Sequence, residues 1–383
     1  MADILMTQQA FKTDLVTPIT NLRSENGVIR IEGTSVFEGG TLYRPTPIAD
    51  SHIAEKLGIP VAYVRRMREE RPDLYDVNVN GWIHGNSVLD LLDGGPVYDR
   101  FAPPDQRRVL CRLFQGDEDE VGWLRAMLSD SYQCIDNLDY LLAFLDGIKR
   151  AGIDAKPTYT DLTETRMIVK IAAPEIAVNA PQLMEGYRSP FHGKNLPEWV
   201  QERYGVNSDG VGIGLVGGNS ETGGGSAFVY PVLYFLACMN GLVVTKDVLR
   251  KVHLGGKLQE GVIEWSGSTQ RKALELVTSQ VTDAVSAFLN PEYIQKQLDE
   301  IAVKAGKKLA NPDETIKVVA KQLNYTEAEA SGILRHFILG GQVTAGGVLQ
   351  AVTSFAQELA DPDAAWELEL SAMKALDLAY AAA

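Results

Sequence analysis

The densest run of residues able to present bare backbone is Gly217-Gly218-Asn219-Ser220-Glu221-Thr222-Gly223-Gly224-Gly225. Successive backbone N–H groups in such a run could cradle a phosphate. The familiar phosphate loops do not fit it. A Walker A loop needs Gly-Lys-Ser/Thr, and both it and the dinucleotide fingerprint open directly into a helix. Here there is no lysine, and Ser226-Ala-Phe-Val-Tyr-Pro-Val232 reads as a strand. The other reading is a long hairpin tip whose glycines take positive φ and whose Asn219, Ser220 and Thr222 cap their own backbone.

A second constellation is basic: Lys246, Arg250, Lys251, His253 and Lys257, then Arg271 and Lys272. Gly255-Gly256 and Trp265 lie among them, so cations and a stacking ring are close in sequence. That combination suits a groove for a single-stranded backbone. Asp247, Glu260 and Glu264 are interleaved, and the stretch reads equally as an ordinary solvated surface. A third constellation is helix, Gly58-Ile59-Pro60 turn, helix over 49–70. Ala54, Gly58, Val64 and Arg65-Arg66-Met67-Arg68 fit a DNA-reading helix pair whose second member is the reader. Glu69 and Glu70 follow directly, and any two packed helices joined by a glycine turn share this pattern.

Enzyme chemistry is weakly signalled. The five histidines, His52, His84, His192, His253 and His336, lack metal-ligand spacing, and no G-x-S-x-G elbow is present. The acidic pairs Asp136/Asp139 and Asp161/Glu164 are better explained as caps and turns than as acid/base pairs. A carboxylate metal site stays open, because its ligands need not be neighbours in sequence. No catalytic residue, metal or cofactor is nominated.

These residues sit in a chain of 383, of which 45% are hydrophobic and 22% charged, the balance of an ordinary globular protein. The net charge of −14 disfavours non-specific binding to DNA or anionic membrane, so a nucleic-acid function would need a local basic patch. Cys111, Cys134 and Cys238 are odd in number and scattered, as expected of reduced, mostly buried thiols in a cytoplasmic protein. The longest apolar run, Phe228 to Met239, is interrupted by tyrosines and a proline, and falls short of the roughly 20 residues that span a bilayer. The N-terminus lacks the pattern of a signal peptide, and no membrane partner is expected.

The elements that must position the candidate residues form an α+β protein. Its expected parts are a central antiparallel sheet with the glycine-rich hairpin, an N-terminal helix-turn-helix-like pair and a helical C-terminal third. Three regions follow: 1–100, 101–265 and 266–383. Residues 1–45 read as a loosely structured lead-in with a short strand at Val28-Ile29-Arg30-Ile31. Residues 107–115 read as a strand with Val109, Cys111 and Leu113 on one face. A helix over 138–151 should bury Leu141, Leu142, Leu145 and Ile148, and end at Gly152. Strands follow at 155–160 and 166–172. Residues 174–208 look like an insertion or mobile loop, and strands at 211–216 and 226–232 flank the polar loop. The last third predicts helices at 271–289 and 291–305, Asn311 and Pro312 starting another, a capping box at Thr326-Glu-Ala-Glu329, and helices at 342–359 and 362–381.

Four blocks carry a resemblance. They are Ile53-Ala-Glu-Lys-Leu-Gly-Ile-Pro-Val-Ala-Tyr63 with Asn78-Val-Asn-Gly-Trp82, and Leu124-Arg-Ala-Met-Leu-Ser-Asp-Ser-Tyr132 with Ile135-Asp-Asn137. Then come Gly218-Asn-Ser-Glu-Thr-Gly223 with Ala237-Cys-Met-Asn-Gly-Leu242, and Thr344-Ala-Gly-Gly-Val-Leu-Gln-Ala-Val-Thr353. In these the chain resembles the phage/plasmid-like family of unknown function found in phages, prophages and conjugative plasmids. The family has no settled activity. Its setting implies a role in mobile-element DNA in the cytoplasm of a bacterial host, with Asn219-Ser220-Glu221-Thr222-Gly223 as its most recognisable motif.

The first functional expectation is a DNA-handling accessory protein that binds or anneals single-stranded DNA in recombination, as a ring-forming homo-oligomer. Helix 138–151, three or four strands and then helices is an order compatible with annealing proteins, in which a β-hairpin borders the DNA groove. Lys246, Arg250, Lys251, His253, Lys257, Arg271 and Lys272 would then contact phosphates, while the loop shapes the groove and the acidic C-terminal helices recruit a protein partner. The alternative is a non-enzymatic assembly or host-interaction protein, such as a defence inhibitor. An enzyme with an unrecognised carboxylate site ranks last.

Overall fold

The computed structural model describes residues 2–32, 40–84, 107–115, 121–130, 132, 134–194, 196–246, 249–251 and 267–383. Their contacts divide them into two units. The first holds the described residues up to Leu138 together with Ser220–Ser226, and the second holds Asp139–Asn219, Ala227–Lys251 and Gly267–Ala383. Neither unit is one continuous stretch of chain, unlike the three regions drawn along the sequence.

In the first unit, α1 (Ala2–Phe11) leads into β1 (Lys12–Pro18), β2 (Leu22–Glu25), β3 (Val28–Ile31) and β4 (Thr41–Pro45). Helices α2 (Pro47–Leu57), α3 (Val61–Glu70) and α4 (Pro72–His84) precede β5 (Arg108–Phe114) and β6 (Gly122–Ser129). The six strands order as β1-β5-β6-β4-β3-β2, antiparallel except for the β4–β6 pair. The N-terminal stretch is therefore not a loose lead-in. Its first strand pairs with one about a hundred residues later, Lys12 opposite Phe114, and local pattern carries no trace of so distant a partner.

Alternation along β5 sends Val109, Cys111 and Leu113 into a core with Ile53, Ala54, Val64, Tyr75 and Trp82 of the three helices, as the spacing requires. Leu110 joins Ala126 and Leu128 on the opposite face. The α2–α3 pair forms where expected. Thr46 caps Ala49 N–H, Gly58 takes φ 69, and Pro60 is the N-cap of α3 rather than part of its first turn.

The next helix, α5, spans Asn137–Arg150 and starts one residue early against expectation. Its large buried apolar residues are Tyr140, Leu141, Phe144 and Ile148, whereas Leu142 and Leu145 are 57% and 46% exposed. Leu142 and Leu145 flank the apolar stripe of this helix, so the period gives its side but not how much of its width is covered. Packing decides that: Gly147 lies so close to Val281 that a Cβ would come within 2.6 Å.

The sheet of the second unit uses β7 (Lys156–Leu162), β8 (Met167–Asn179), β9 (Gly210–Asn219), β10 (Ala227–Phe235), β11 (Asn240–Val243) and β12 (Leu249–Lys251). Its order is β11-β10-β9-β8-β7, all antiparallel, with β12 also on β10. Residues 174–208 are built rather than looped. Strand β8 continues to Asn179 past an irregularity, followed by α6 (Pro181–Met184) and α7 (Glu198–Tyr204), with Leu196 and Val200 in the core.

Helices α8 (Gly267–Phe288), α9 (Pro291–Ala305), α10 (Pro312–Leu323), α11 (Glu327–Gly340), α12 (Ala345–Ala356) and α13 (Pro362–Ala382) complete the chain. Asn290, Asn311 and Thr326 are N-caps, and Thr326 with Glu329 closes the capping box. No helix among the described residues is long and apolar enough to cross a membrane. The fold is α+β, with two sheets rather than one central sheet.

Candidate functional site

Strands β9 and β10 run further than their apolar cores suggested, leaving only Ser220–Ser226 between them. The polar half of the loop is not solvent-facing: Ser220, Glu221 and Thr222 are 2%, 7% and 1% exposed, whereas Gly223, Gly224 and Gly225 are exposed. Within it, Gly224 N–H donates to Ser220 Oγ at 2.9 Å. Gly223 takes φ 82, where an L side chain would be strained, and a Cβ there would also lie 2.7 Å from Leu128 Cδ2.

Glu221 is the centre of the loop. Its Oε2 accepts from Arg125 Nη1 at 2.7 Å, and its Oε1 accepts from the backbone N–H of Asn137 at 2.6 Å, where α5 begins. Its carbonyl accepts from Arg112 Nη1 at 2.9 Å. A carboxylate is favoured at a helix N-terminus because the unpaired N–H groups there carry partial positive charge. Glu221 thus fills the position where an incoming phosphate would bind. A bulge in β6 supplies the second cation. Arg112 pairs with Ala126 and Leu113 with Leu124, so Arg125 is the extra residue, and its guanidinium also lies 4.7 Å from the ring centroid of Phe114.

Arg112 is fully buried in the apolar strand β5 and anchors a wider network. Its Nε donates to Asp14 Oδ1 at 2.9 Å and its Nη2 to Asp136 Oδ1 at 2.7 Å. Lys12 also pairs with Asp136. Lys12, Arg112 and Arg125 are thereby matched by Asp14, Asp136 and Glu221. Burial works to raise the Asp136 carboxyl, but the charges of Lys12 and Arg112 outweigh it and hold it below the usual range. Burial likewise opposes the Arg112 charge, and the carboxylates of Asp14, Glu221 and Asp136 reverse that opposition. The Cys134 thiol is pushed up to about 12, chiefly by burial, and is a poor nucleophile at neutral pH. With its charges matched internally, this network holds the loop in place.

The basic stretch is only partly brought together. Lys246 is exposed and pairs with Glu300 of α9. Arg250 and Lys251 lie on β12, opposite Phe228 and Ala227 of β10. His253 and Lys257, with Gly255-Gly256 and Trp265, lie outside the described residues. Arg271 and Lys272 are exposed on α8. Helix α8 meets β10 through Val277 and Val281, which line a small cavity with Ala227 and Val229. Arg271 and Lys272 come less than two turns before that contact. Helix α8 and strand β12 both border β10, so Arg250, Lys251, Arg271 and Lys272 lie on adjoining elements, with Arg250 and Lys251 at successive strand positions.

The α2–α3 pair offers less to a DNA groove than its sequence suggests. Arg68 donates through Nε and Nη2 to the fully buried Asp50 at 3.1 and 2.7 Å. Arg66 pairs with Glu70, and Arg65 donates to the carbonyl of Pro47. Asp161 lies in β7 opposite Ile168 rather than in the turn after it, accepting from Tyr159 Oη and Leu162 N–H, while Asp136 belongs to the buried network rather than to a simple cap. Among the described residues no three His, Cys, Asp or Glu side chains converge as a metal would require.

Sequence reasoning passed over Lys12, Asp14, Arg112 and Arg125. The available signal was an arginine in the middle of each of two apolar strands, Val109-Leu-Cys-Arg112-Leu-Phe114 and Leu124-Arg-Ala-Met-Leu128. A charge there must be paired or the strand would not be buried. No family model, no curated protein and no solved structure matches the chain.

Proposed function

We propose that the chain is a phage or plasmid DNA-handling accessory protein that binds single-stranded DNA at the β12 side of its second sheet. The observation that carries this reading is that Arg250 and Lys251 of β12 and Arg271 and Lys272 of α8 lie on elements that both border β10, in a chain of net charge −14. Concentrated positive charge in an acidic molecule attracts a polyanion locally while the rest of the surface repels it. Annealing by a homo-oligomeric ring in the host cytoplasm belongs to the same reading. The Ser220–Ser226 loop contributes by bracing the structure, since Glu221 is engaged internally.

The test is binding of labelled oligothymidine across a salt series. Each phosphate neutralised should contribute about −0.7 to the slope of log affinity against log salt. Arg271→Glu combined with Lys272→Glu should flatten that slope by at least about 1.4, the share of two contacts. No binding to the wild-type chain at low salt would sink the reading. Mass measurement in solution tests the ring. The net charge favours a second reading, an assembly or host-interaction protein, which predicts no oligonucleotide binding and a protein partner on the acidic C-terminal helices.

A further inference from the structure

Trp123 sits on β6, an interior strand of the first sheet, and is 44% exposed. A tryptophan so placed forgoes one of the largest burials open to a side chain. Its surroundings follow from register. Arg44 of β4 lies opposite Trp123, while Arg30 of β3 lies opposite both Leu42 of β4 and Arg23 of β2. Directly opposed residues point to the same side of a sheet, as do residues two apart along a strand. Trp123, Arg44, Leu42, Arg30 and Arg23 therefore share one face. Ile29, Ile31, Tyr43 and Leu124, at the alternate positions, pack into the core on the other.

Strands β2, β3 and β4 contribute three arginines and one carboxylate, Glu25, to the open face. Arg30 donates through Nε and Nη2 to one Glu25 oxygen at 3.0 and 2.8 Å. Arg23 Nε lies 3.6 Å from the other oxygen, and the Arg23 side chain is 69% exposed. Arg44 is exposed, and its guanidinium lies 5.5 Å from the centroid of the Trp123 ring. No carboxylate pairs with Arg44 among the described residues.

A planar cation beside an open indole makes a stacking surface, and a guanidinium also meets phosphate in a fork that an ammonium lacks. A single strand of nucleic acid supplies the matching chemistry, unpaired bases for the ring and phosphates for the guanidiniums. Charge argues the same way, because an excess of arginine on one face attracts a polyanion to a chain of net charge −14. Neighbouring strands are about 4.8 Å apart, so Trp123 and Arg23 stand three strand intervals, roughly 14 Å, from each other. That span suits a short stretch of strand rather than one isolated ring. We propose that this face is a single-strand platform, on which an unpaired base stacks on Trp123 and Arg44 and Arg23 take the adjoining phosphates, with Glu25 holding Arg30 between them. The platform belongs to the first unit and does not rest on strand binding at β12 of the second.

The experiment binds oligothymidine carrying 5-iodouracil, which cross-links to a stacked aromatic ring on irradiation, to the full chain and maps the adduct by mass spectrometry. The cross-link should fall on Trp123, within the tryptic peptide of residues 113–125, and a duplex of the same sequence should give none. Trp123→Ala should weaken oligothymidine binding by roughly 5- to 150-fold, the range of one base–aromatic stack. Arg23→Glu combined with Arg44→Glu should flatten the slope of log affinity against log salt by at least about 1.4. All three side chains are exposed, so both variants should keep the wild-type melting temperature, and the cross-link reads the site in the wild-type chain regardless. Wild-type affinity in folded Trp123→Ala, adducts that miss Trp123, or equal cross-linking of the duplex would each overturn the platform. So would a Trp123→Ala chain whose mass in solution changes while its oligothymidine binding does not, because the face would then belong to a second copy. The Trp123 adduct should survive Arg271→Glu with Lys272→Glu; its loss there would return the strand to β12 and overturn an independent platform.

Discussion

Glu221 shows how a residue that looks like part of a binding loop can be a tie within the protein. Truncating it to alanine leaves the nearly buried Arg125 without its carboxylate and the first N–H of α5 without an acceptor. Breaking such a buried pair costs about 3–5 kcal/mol, so Glu221→Ala should lower the urea midpoint sharply. An unchanged midpoint would mean that the loop is held by something other than this carboxylate. Asp136 gives the acid counterpart. Its folded pKa lies below the ordinary 3.8, so its contribution is present above that value and disappears as pH falls through the folded pKa. Asp136→Asn should therefore flatten the loss of stability below about pH 4, measured by denaturation across pH. The thiols make a third case. Burial pushes Cys111 and Cys134 up to about 12 and Cys238 to about 11, so all three stay protonated at pH 8. A disulfide reagent should label the native chain slowly and the urea-unfolded chain at once.

At the scale of elements, the α2–α3 pair separates stability from recognition. Arg68→Ala strands the buried Asp50 and should destabilise the chain, whereas Arg66→Ala removes only an exposed pair and should leave stability nearly unchanged. If this helix pair read DNA, Arg66→Ala would weaken oligonucleotide binding without touching stability. Strand β9 makes a similar point about glycine. It is buried along its whole length, and a Cβ on Gly214 would sit 1.8 Å from the carbonyl oxygen of Ile171. That glycine is required by close approach of neighbouring backbone, not by flexibility, and Gly214→Ala should lower thermal stability by overpacking. The C-terminal helices were legible for a local reason. Asn290, Asn311 and Thr326 satisfy N–H groups within three residues of themselves, so the start signal and its structure lie in the same few positions.

For the whole molecule, charge is the governing quantity. A net charge of −14 repels itself in the folded state, and added salt screens that repulsion. Raising salt from low to physiological levels should therefore raise the melting temperature while weakening the proposed DNA binding. Binding that strengthened as salt rose would mean that the basic residues of β12 and α8 are not its source.

The sequence by itself determined the α+β class, the helix pair at its glycine turn, the alternating face of β5, the strands beside the polar loop and the capped C-terminal helices. Each of these rests on residues within one or two turns or a few strand positions of one another. Only the tertiary structure decided that Lys12–Pro18, Leu22–Glu25, Val28–Ile31 and Thr41–Pro45 join one sheet, that Leu142 and Leu145 face outward, and that β8 runs on to Asn179 before α6 and α7. It also decided the state of the glycine-rich loop. The partners that bury Glu221 come from Arg112, Arg125 and Asn137, between 84 and 109 residues away, and no local period records a contact at that range. Charge balance at a buried site is a property of the assembled network, which is why the arginines inside β5 and β6 were visible in the sequence while their partners were not.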